Sequence, residues 1–157
     1  MTEQEIIRRE SLQKLRDLGI DPYPAEQFDV TAQAADLLAN YQEEVLEDGT
    51  KNRLNYQEVA LAGRVMFVRE AGKALFMGLQ DATGRIQLYL RREEICPGED
   101  KTLFDVAIRK LLDLGDYIGV QGFVFKTKTG EISVHVQAFK FLAKSLGFTT
   151  LSRRGTA

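Results

Sequence analysis

The sequence predicts a mainly β fold with accessory helices: a small five-stranded barrel with a helix between its third and fourth strands, preceded by a helical segment. Three observations carry this expectation. From Val59 onward the apolar pattern changes from a period of 3.6 to a period of 2, which separates a helical part from a strand part. Asp81-Ala82-Thr83-Gly84 and Thr127-Lys128-Thr129-Gly130 each stand between two alternating runs and read as hairpin turns. A length of 157 residues supplies one core and a small appendage, too little for two full-sized domains.

The elements follow in order. Thr2-Glu3-Gln4-Glu5 has the spacing of a capping box, and Ile6, Ile7, Leu12, Leu15 and Leu18 follow before Gly19, so a helix starts and stops here. Its Arg8, Arg9, Lys14 and Arg16 read as a solvated surface ahead of a phosphate-contacting stripe. The prolines of Asp21-Pro22-Tyr23-Pro24 impose an extended stretch. A second helix is expected over residues 31–45, with Ala34, Leu37, Leu38, Tyr41 and Val45 on one side, then a polar connection over 49–55. The first barrel strand covers 59–68, with a bulge or bend expected at Gly63. Residues 73–80 and 85–91 form the first hairpin. After Pro97-Gly98, a stripe of Leu103, Phe104, Ala107, Ile108, Leu111 and Leu112 ending at Gly115 marks a helix, and 116–126 with 131–142 form the second hairpin. Three strands, a helix and two strands is the chain order of an OB-fold, whose second and third strands commonly bind oligonucleotides. The expected division is a helical extension over 1–58, the barrel over 59–146 and a tail over 147–157.

Composition narrows the function classes. Hydrophobic residues make up 44% and charged residues 28%, so the chain should fold rather than stay disordered. One cysteine, Cys96, and one histidine, His135, leave no set for a zinc or haem site, so no metal site is expected. No apolar stretch reaches about 18 residues and the N-terminus is acidic, which predicts a cytoplasmic, non-membrane protein. The net charge of -2 argues against nucleic acid at first sight, but it hides a gradient. Residues 1–58 hold 6 Lys and Arg against 13 Asp and Glu, whereas 59–146 hold 13 against 10. The strand part is the basic part.

A two-residue turn at Ala82-Thr83 fixes the register of the first hairpin. It pairs Leu75 with Leu90, Met77 with Leu88 and Leu79 with Ile86 on an apolar face that must be core. The opposite face pairs Ala74 with Arg91, Phe76 with Tyr89, Gly78 with Gln87 and Gln80 with Arg85. There Phe76 lies between two residues with almost no side chain, leaving room for a flat group, and Gln87 beside it carries a donor and an acceptor suited to a base edge. Base stacking on such a ring is worth about 1 to 3 kcal/mol. The same spacing also fits a cross-strand aromatic pair covered by the N-terminal helices; spacing leaves both readings open. Elsewhere, Asp81, Glu93 and Glu94 show no carboxylate partner, Cys96 has no activating base, and Gly115 and Gly130 read as turn glycines, so no catalytic constellation is expected.

Several short runs resemble a known family in order along the chain. Ile7-Arg8-Arg9-Glu10, Leu18-Gly19-Ile20-Asp21-Pro22-Tyr23-Pro24, Ala62-Gly63-Arg64, Gly72-Lys73-Ala74, Leu79-Gln80-Asp81-Ala82-Thr83-Gly84-Arg85-Ile86-Gln87-Leu88-Tyr89 and Phe125-Lys126-Thr127-Lys128-Thr129-Gly130-Glu131 look like the N-terminal anticodon-binding domain of bacterial-type class II lysyl-tRNA synthetases. The resemblance implies that the OB-fold binds the anticodon loop of lysine-accepting tRNA. It makes Phe76 the ring under the central uridine, Gln87 the amide reading that base, Glu131 the carboxylate beside it, and Arg69 a contacting arginine in the loop before Gly72-Lys73. Arg64, Arg85, Tyr89 and Arg91 are candidate supporting contacts. Glu70-Ala71 stands where the family is larger and basic or apolar, which predicts weaker phosphate contact there.

The class II motifs that bind ATP and lysine are not in the sequence, so this chain by itself is expected to be catalytically inactive. The full-length enzyme it resembles would use ATP and Mg2+ and form a homodimer, and a linker to a catalytic domain would be expected where 147–157 lies. Two other readings stand beside this one: a single-strand-binding OB module without sequence choice, and a structural or dimerisation piece.

Overall fold

The computed structural model describes residues 3–20 and 22–143. Helix α1 (Glu3–Asp17) ends in a left-handed glycine, Gly19, at φ 79°. The Gly19 N–H donates to Arg16 O and the Ile20 N–H to Leu15 O, both at 2.9 Å, which satisfies the last carbonyls in the manner of a Schellman cap. Leu15 is fully buried against the barrel core. The capping box at Thr2 and Glu5 falls outside the described residues and side chains.

Residues 22–33 then cross the barrel wall as a strap. The Tyr23 N–H donates to Phe141 O, and the N–H groups of Thr31 and Ala32 both donate to Ala60 O. Phe28 lies so close over Gly119 that a Cβ there would meet its ring at 2.7 Å. With Ala60, Ala62 and Leu142, Phe28 forms a small apolar cluster apart from the main core.

Helix α2 (Ala34–Asn40) is shorter than the 31–45 expected from its apolar spacing. Tyr41 is already extended, at φ -61° and ψ 132°. The residues after it form a hairpin of β1 (Glu43–Val45) and β2 (Lys51–Arg53), replacing both the end of the expected helix and the expected polar connection. The physical reason is lateral fastening. The Asn55 side chain donates to Asn40 O at 2.8 Å and accepts from Gln42 N–H at 3.0 Å, while Gly49 at φ 89° closes the turn. Three-residue strands are too short for alternation to reveal.

The barrel strands are β3 (Val59–Ala71), β4 (Ala74–Gln80), β5 (Arg85–Arg91), β6 (Tyr117–Lys126) and β7 (Ile132–Ala143), closed in the order β3-β4-β5-β7-β6. All neighbours pair antiparallel except β5 with β7. This is the OB-fold order, and every β4–β5 pair read from the turn is found. Leu75, Met77, Leu79, Ile86, Leu88 and Leu90 fill the interior with Val120, Val124, Val134 and Val136. A short helix, α3 (Arg92–Ile95), and α4 (Leu103–Leu111), wound with π-helical hydrogen bonds, link β5 to β6. Phe104, Ala107 and Ile108 of α4 are buried in the same core. The spacing of four between Phe104, Ile108 and Leu112 suits a turn wider than the α-helical one.

Two details of β3 differ from expectation. Its irregularity lies between Val65 and Phe67, not at Gly63, whose missing side chain instead admits the Gln80 carbonyl: a Cβ there would meet that oxygen at 2.5 Å. The strand also runs to Ala71 rather than stopping at 68, because Gly72, at φ 64°, turns the chain within two residues. Arg69 is therefore a strand residue paired with Phe76, not a loop residue.

The β4–β5 turn also holds α2. Asp81 accepts from the Ala34 N–H at 2.7 Å, and Thr83 Oγ1 accepts from the Ala35 N–H at 3.0 Å, which supplies the N-terminal cap that Gln33 does not. Burial pushes the Asp81 carboxyl up, but hydrogen bonds from Thr83, Ala34 and Gly84 outweigh it and hold the group below its ordinary value. No helix among the described residues is long and apolar enough to cross a membrane.

Candidate nucleic-acid interface

The pairing register builds one continuous row across all five barrel strands. Arg69 on β3 pairs with Phe76 on β4, Phe76 with Tyr89 on β5, Tyr89 with His135 on β7, and His135 with Phe123 on β6. Alternation puts all five side chains on the barrel's outer face, since Leu75, Met77, Leu88, Leu90, Val124, Val134 and Val136 beside them point into the core. The rings touch in sequence: Phe76 to Tyr89 at 5.1 Å between centroids, Tyr89 to His135 at 5.3 Å, and His135 stacked on Phe123 at 4.5 Å and 21°. Phe125, two residues further along β6, meets Tyr89 edge-on at 5.9 Å.

An arginine closes each end. The Arg69 guanidinium lies 5.0 Å from the Phe76 centroid, and Arg53, reaching over from β2, lies 4.0 Å from that of Phe123. Neither makes an ion pair among the described residues.

The next row holds the polar reader. Gln87 is flanked by Gly78 and Ser133, and its Nε2 donates to Ser133 Oγ at 3.1 Å. Ser133 in turn donates to Glu131 O at 3.3 Å. That chain of bonds fixes the amide and leaves its carbonyl oxygen and second N–H uncommitted. A groove of about 710 Å³ runs between this row and the β6–β7 turn, lined by Arg69, Phe76, Gln87, Tyr89, Phe125 and Glu131 together with Thr127, Lys128 and Thr129. The turn is ordered by the Thr127 hydroxyl, which accepts from the Glu131 N–H at 3.0 Å.

The structure thus gathers Arg69, Phe76, Gln87 and Glu131, with Tyr89, around one groove. It does not bring the other expected contacts there. Arg64 donates to Gly115 O at 2.9 Å and lies over Tyr117, and Arg85 donates to Gln80 at the β4–β5 turn. Arg91 is exposed at the far end of β5, outside the groove lining. The clearing expected on both sides of Phe76 is also absent: Ala74 is buried, and the Phe67 ring occupies the space over Gly78, where a Cβ would meet it at 2.2 Å. The N-terminal strap does not cover Phe76 and Tyr89, which stay half-buried.

Sequence reasoning missed Phe123, Phe125, His135 and Arg53. Phe123 and Phe125 carry a signal, two aromatics at successive outward positions of an otherwise core-facing strand. His135 has no second metal ligand in the sequence and stands instead in the row, where its Nε2 contacts Glu94. Glu93, also without an expected partner, pairs with Arg92 and Lys101. No group of three His, Cys, Asp or Glu residues among the described residues is placed to hold a metal ion. A second hollow of about 410 Å³, lined by Thr31, Glu58, Gln121 and Gln137 among others, contains no aromatic ring.

Residues 59–142 match the model of a family described as the OB-fold nucleic acid binding domain. The chain is 50% identical over 146 residues to a lysine-tRNA ligase of Porphyromonas gingivalis, covering 93% of the chain and 24% of that protein. Over the same share of the chain it is 47% identical to the lysine-tRNA ligase of Azobacteroides pseudotrichonymphae and 45% identical to that of Christiangramia forsetii, covering 27% and 24% of those proteins. The chain spans about a quarter of the length of these curated relatives.

Proposed function

The chain belongs to the OB-fold nucleic-acid-binding family, and from that premise we propose that it reads the anticodon of lysine-accepting tRNA as one part of a lysine-tRNA ligase. The observation that carries the reading is the meeting of Phe76, Gln87 and Arg69 in one groove on an uncovered outer face.

The groove offers a uracil what its shape and edge require. Phe76 provides the stacking surface, worth about 1 to 3 kcal/mol and equally open to every base. Choice among bases falls to the polar atoms. A uracil edge presents a carbonyl, an N–H and a second carbonyl. The Gln87 carbonyl oxygen, held outward by the Ser133 bond, accepts from the N–H. Arg69 is exposed and has no ion-pair partner among the described residues, so it swings from the Phe76 ring to donate to a uracil carbonyl as the base takes its place. A cytosine turns a ring nitrogen lone pair toward the Gln87 oxygen, leaving two acceptors face to face at a cost of about 1 to 3 kcal/mol. Glu131 and Lys128 on the β6–β7 turn flank the base; the carboxylate takes an exocyclic or ribose donor and the lysine a phosphate.

Attachment of lysine, with its ATP and Mg2+, belongs to the longer protein of which the relatives are examples. Among the described residues no group of three His, Cys, Asp or Glu is placed to hold a metal ion, and we assign no step of that reaction to residues of this chain. The chain by itself binds tRNA without charging it. The decisive titration uses lysine tRNA with the wild-type chain and Phe76→Ala: a loss of affinity of about tenfold or more with an unchanged folded state supports the reading, and undiminished binding overturns it. Equal wild-type affinity for unrelated oligonucleotides would instead favour a single-strand binder without sequence choice.

A further inference from the structure

The aromatic row extends well past the groove. From Phe76 it crosses three strand spacings of about 4.8 Å to Phe123, some 14 Å in all, whereas neighbouring stacked bases in a strand are about 3.4 Å apart. A base on Phe76 therefore leaves most of the row uncovered.

Phe123 itself cannot receive a base. One face is stacked on His135 at 4.5 Å, and the other lies under the Arg53 guanidinium at 4.0 Å. The stacking plane left at that end is the far side of Arg53. A guanidinium plane is a recognised base platform. Arg53 is also built to hold still. Its Nε donates to Val124 O and a terminal nitrogen donates to Gln57 Oε1 at 3.2 Å, while Gln57 returns a bond to Arg53 O at 3.0 Å. The Tyr41 side chain is a third hydrogen-bonding partner of the same guanidinium, so no more than two of its five N–H donors are left for a base edge or a phosphate. No carboxylate among the described residues pairs with it, so its charge is available to RNA. The β1–β2 hairpin that presents it overhangs the same outer face that carries Phe76.

We propose that Arg53 is the platform of a second subsite, which stacks a further base of the same RNA strand at the opposite end of the row from Phe76. The inference rests on the anticodon reading of the Phe76 groove and adds a ligand contact outside it. A strand bound at both ends runs across β4, β5, β7 and β6, with Tyr89 and His135 beneath its middle. The β1–β2 hairpin is then part of the binding surface rather than a decoration of the fold.

The test compares uridine-centred ribo-oligonucleotides of three residues with longer ones extended by three residues on the 5′ side or on the 3′ side. The wild-type chain should bind one of the extended series about tenfold more tightly than the trimer. Arg53→Gln and Arg53→Lys should both abolish that gain and leave trimer affinity unchanged, because the lysine keeps the charge but lacks the plane. Thermal melting of each variant reports whether the hairpin stays seated. If Arg53→Lys keeps the full gain with a wild-type melting temperature, or if neither extension binds more tightly than the trimer, the second subsite is wrong. Phe76→Ala separates the two claims: it should weaken every oligonucleotide, and if it weakens none, the anticodon reading fails first.

Discussion

The outer wall of this barrel has two apolar faces that are treated in opposite ways. On β3, β6 and the end of β7, Ala60, Ala62 and Leu142 are covered by the strap, with Phe28 pressed on Gly119 and Tyr23 bonded to Phe141. Across β4, β5, β7 and β6, the chain leaves Phe76, Tyr89, His135 and Phe123 half-buried and closes the row only with arginines. The same molecule can cover such a face, and here it does not. The covered face stabilises the fold, whereas the uncovered one keeps its stacking surface and its uncommitted guanidinium and amide groups for a ligand.

Three substitutions press on that contrast, beginning with the largest effect. Phe28→Ala removes the ring that seals the covered face and should cost about 3 kcal/mol of stability, read as a lower urea midpoint, while RNA affinity measured under folded conditions stays at wild type. An equal loss of affinity would mean that the two faces are not independent. Gln87→Met keeps the volume but removes the amide. It should leave stability within about 0.5 kcal/mol, keep stacking, and erase about 1 to 3 kcal/mol of discrimination between uracil and cytosine. Preserved discrimination would move the reading of the base to Arg69 or Glu131.

The smallest effect concerns the tie between the two parts of the chain. Asp81→Asn weakens the cap on α2 and should cost about 1 kcal/mol at neutral pH. The folded Asp81 carboxyl sits below its ordinary value, so its contribution is fully present above the unfolded carboxyl's ordinary range and fades as pH falls through the lower folded value. Acid titration of stability should therefore separate wild type from variant above about pH 4 and bring the two together below it; a gap that persists at pH 2 would assign the effect to geometry rather than charge.

Much of this was legible in the sequence because the relevant rules are local. Alternation together with a two-residue turn fixes the β4–β5 register, and register places Phe76 against Tyr89 and Gln87 against Gly78. What escaped depends on distant partners. The β1–β2 hairpin is held by Asn55, and α2 starts at Ala34 because Asp81, 47 residues away, caps it. Phe67 fills the space over Gly78 because β3 shifts register at Met66, which no spacing of apolar residues announces. Arg53 joins the row from a strand too short to show a period. The expected tail over 147–157 lies outside the described residues.

The most direct test of the central claim is a titration of the folded chain with two anticodon stem-loops of lysine tRNA that differ only in the central base. The account predicts that uridine binds about tenfold or more tightly than cytidine, and that the Phe76, Tyr89 and Gln87 signals shift in NMR spectra of the uridine complex. Equal affinity for the two stem-loops, or shifts confined to residues outside the Phe76 groove, would contradict it.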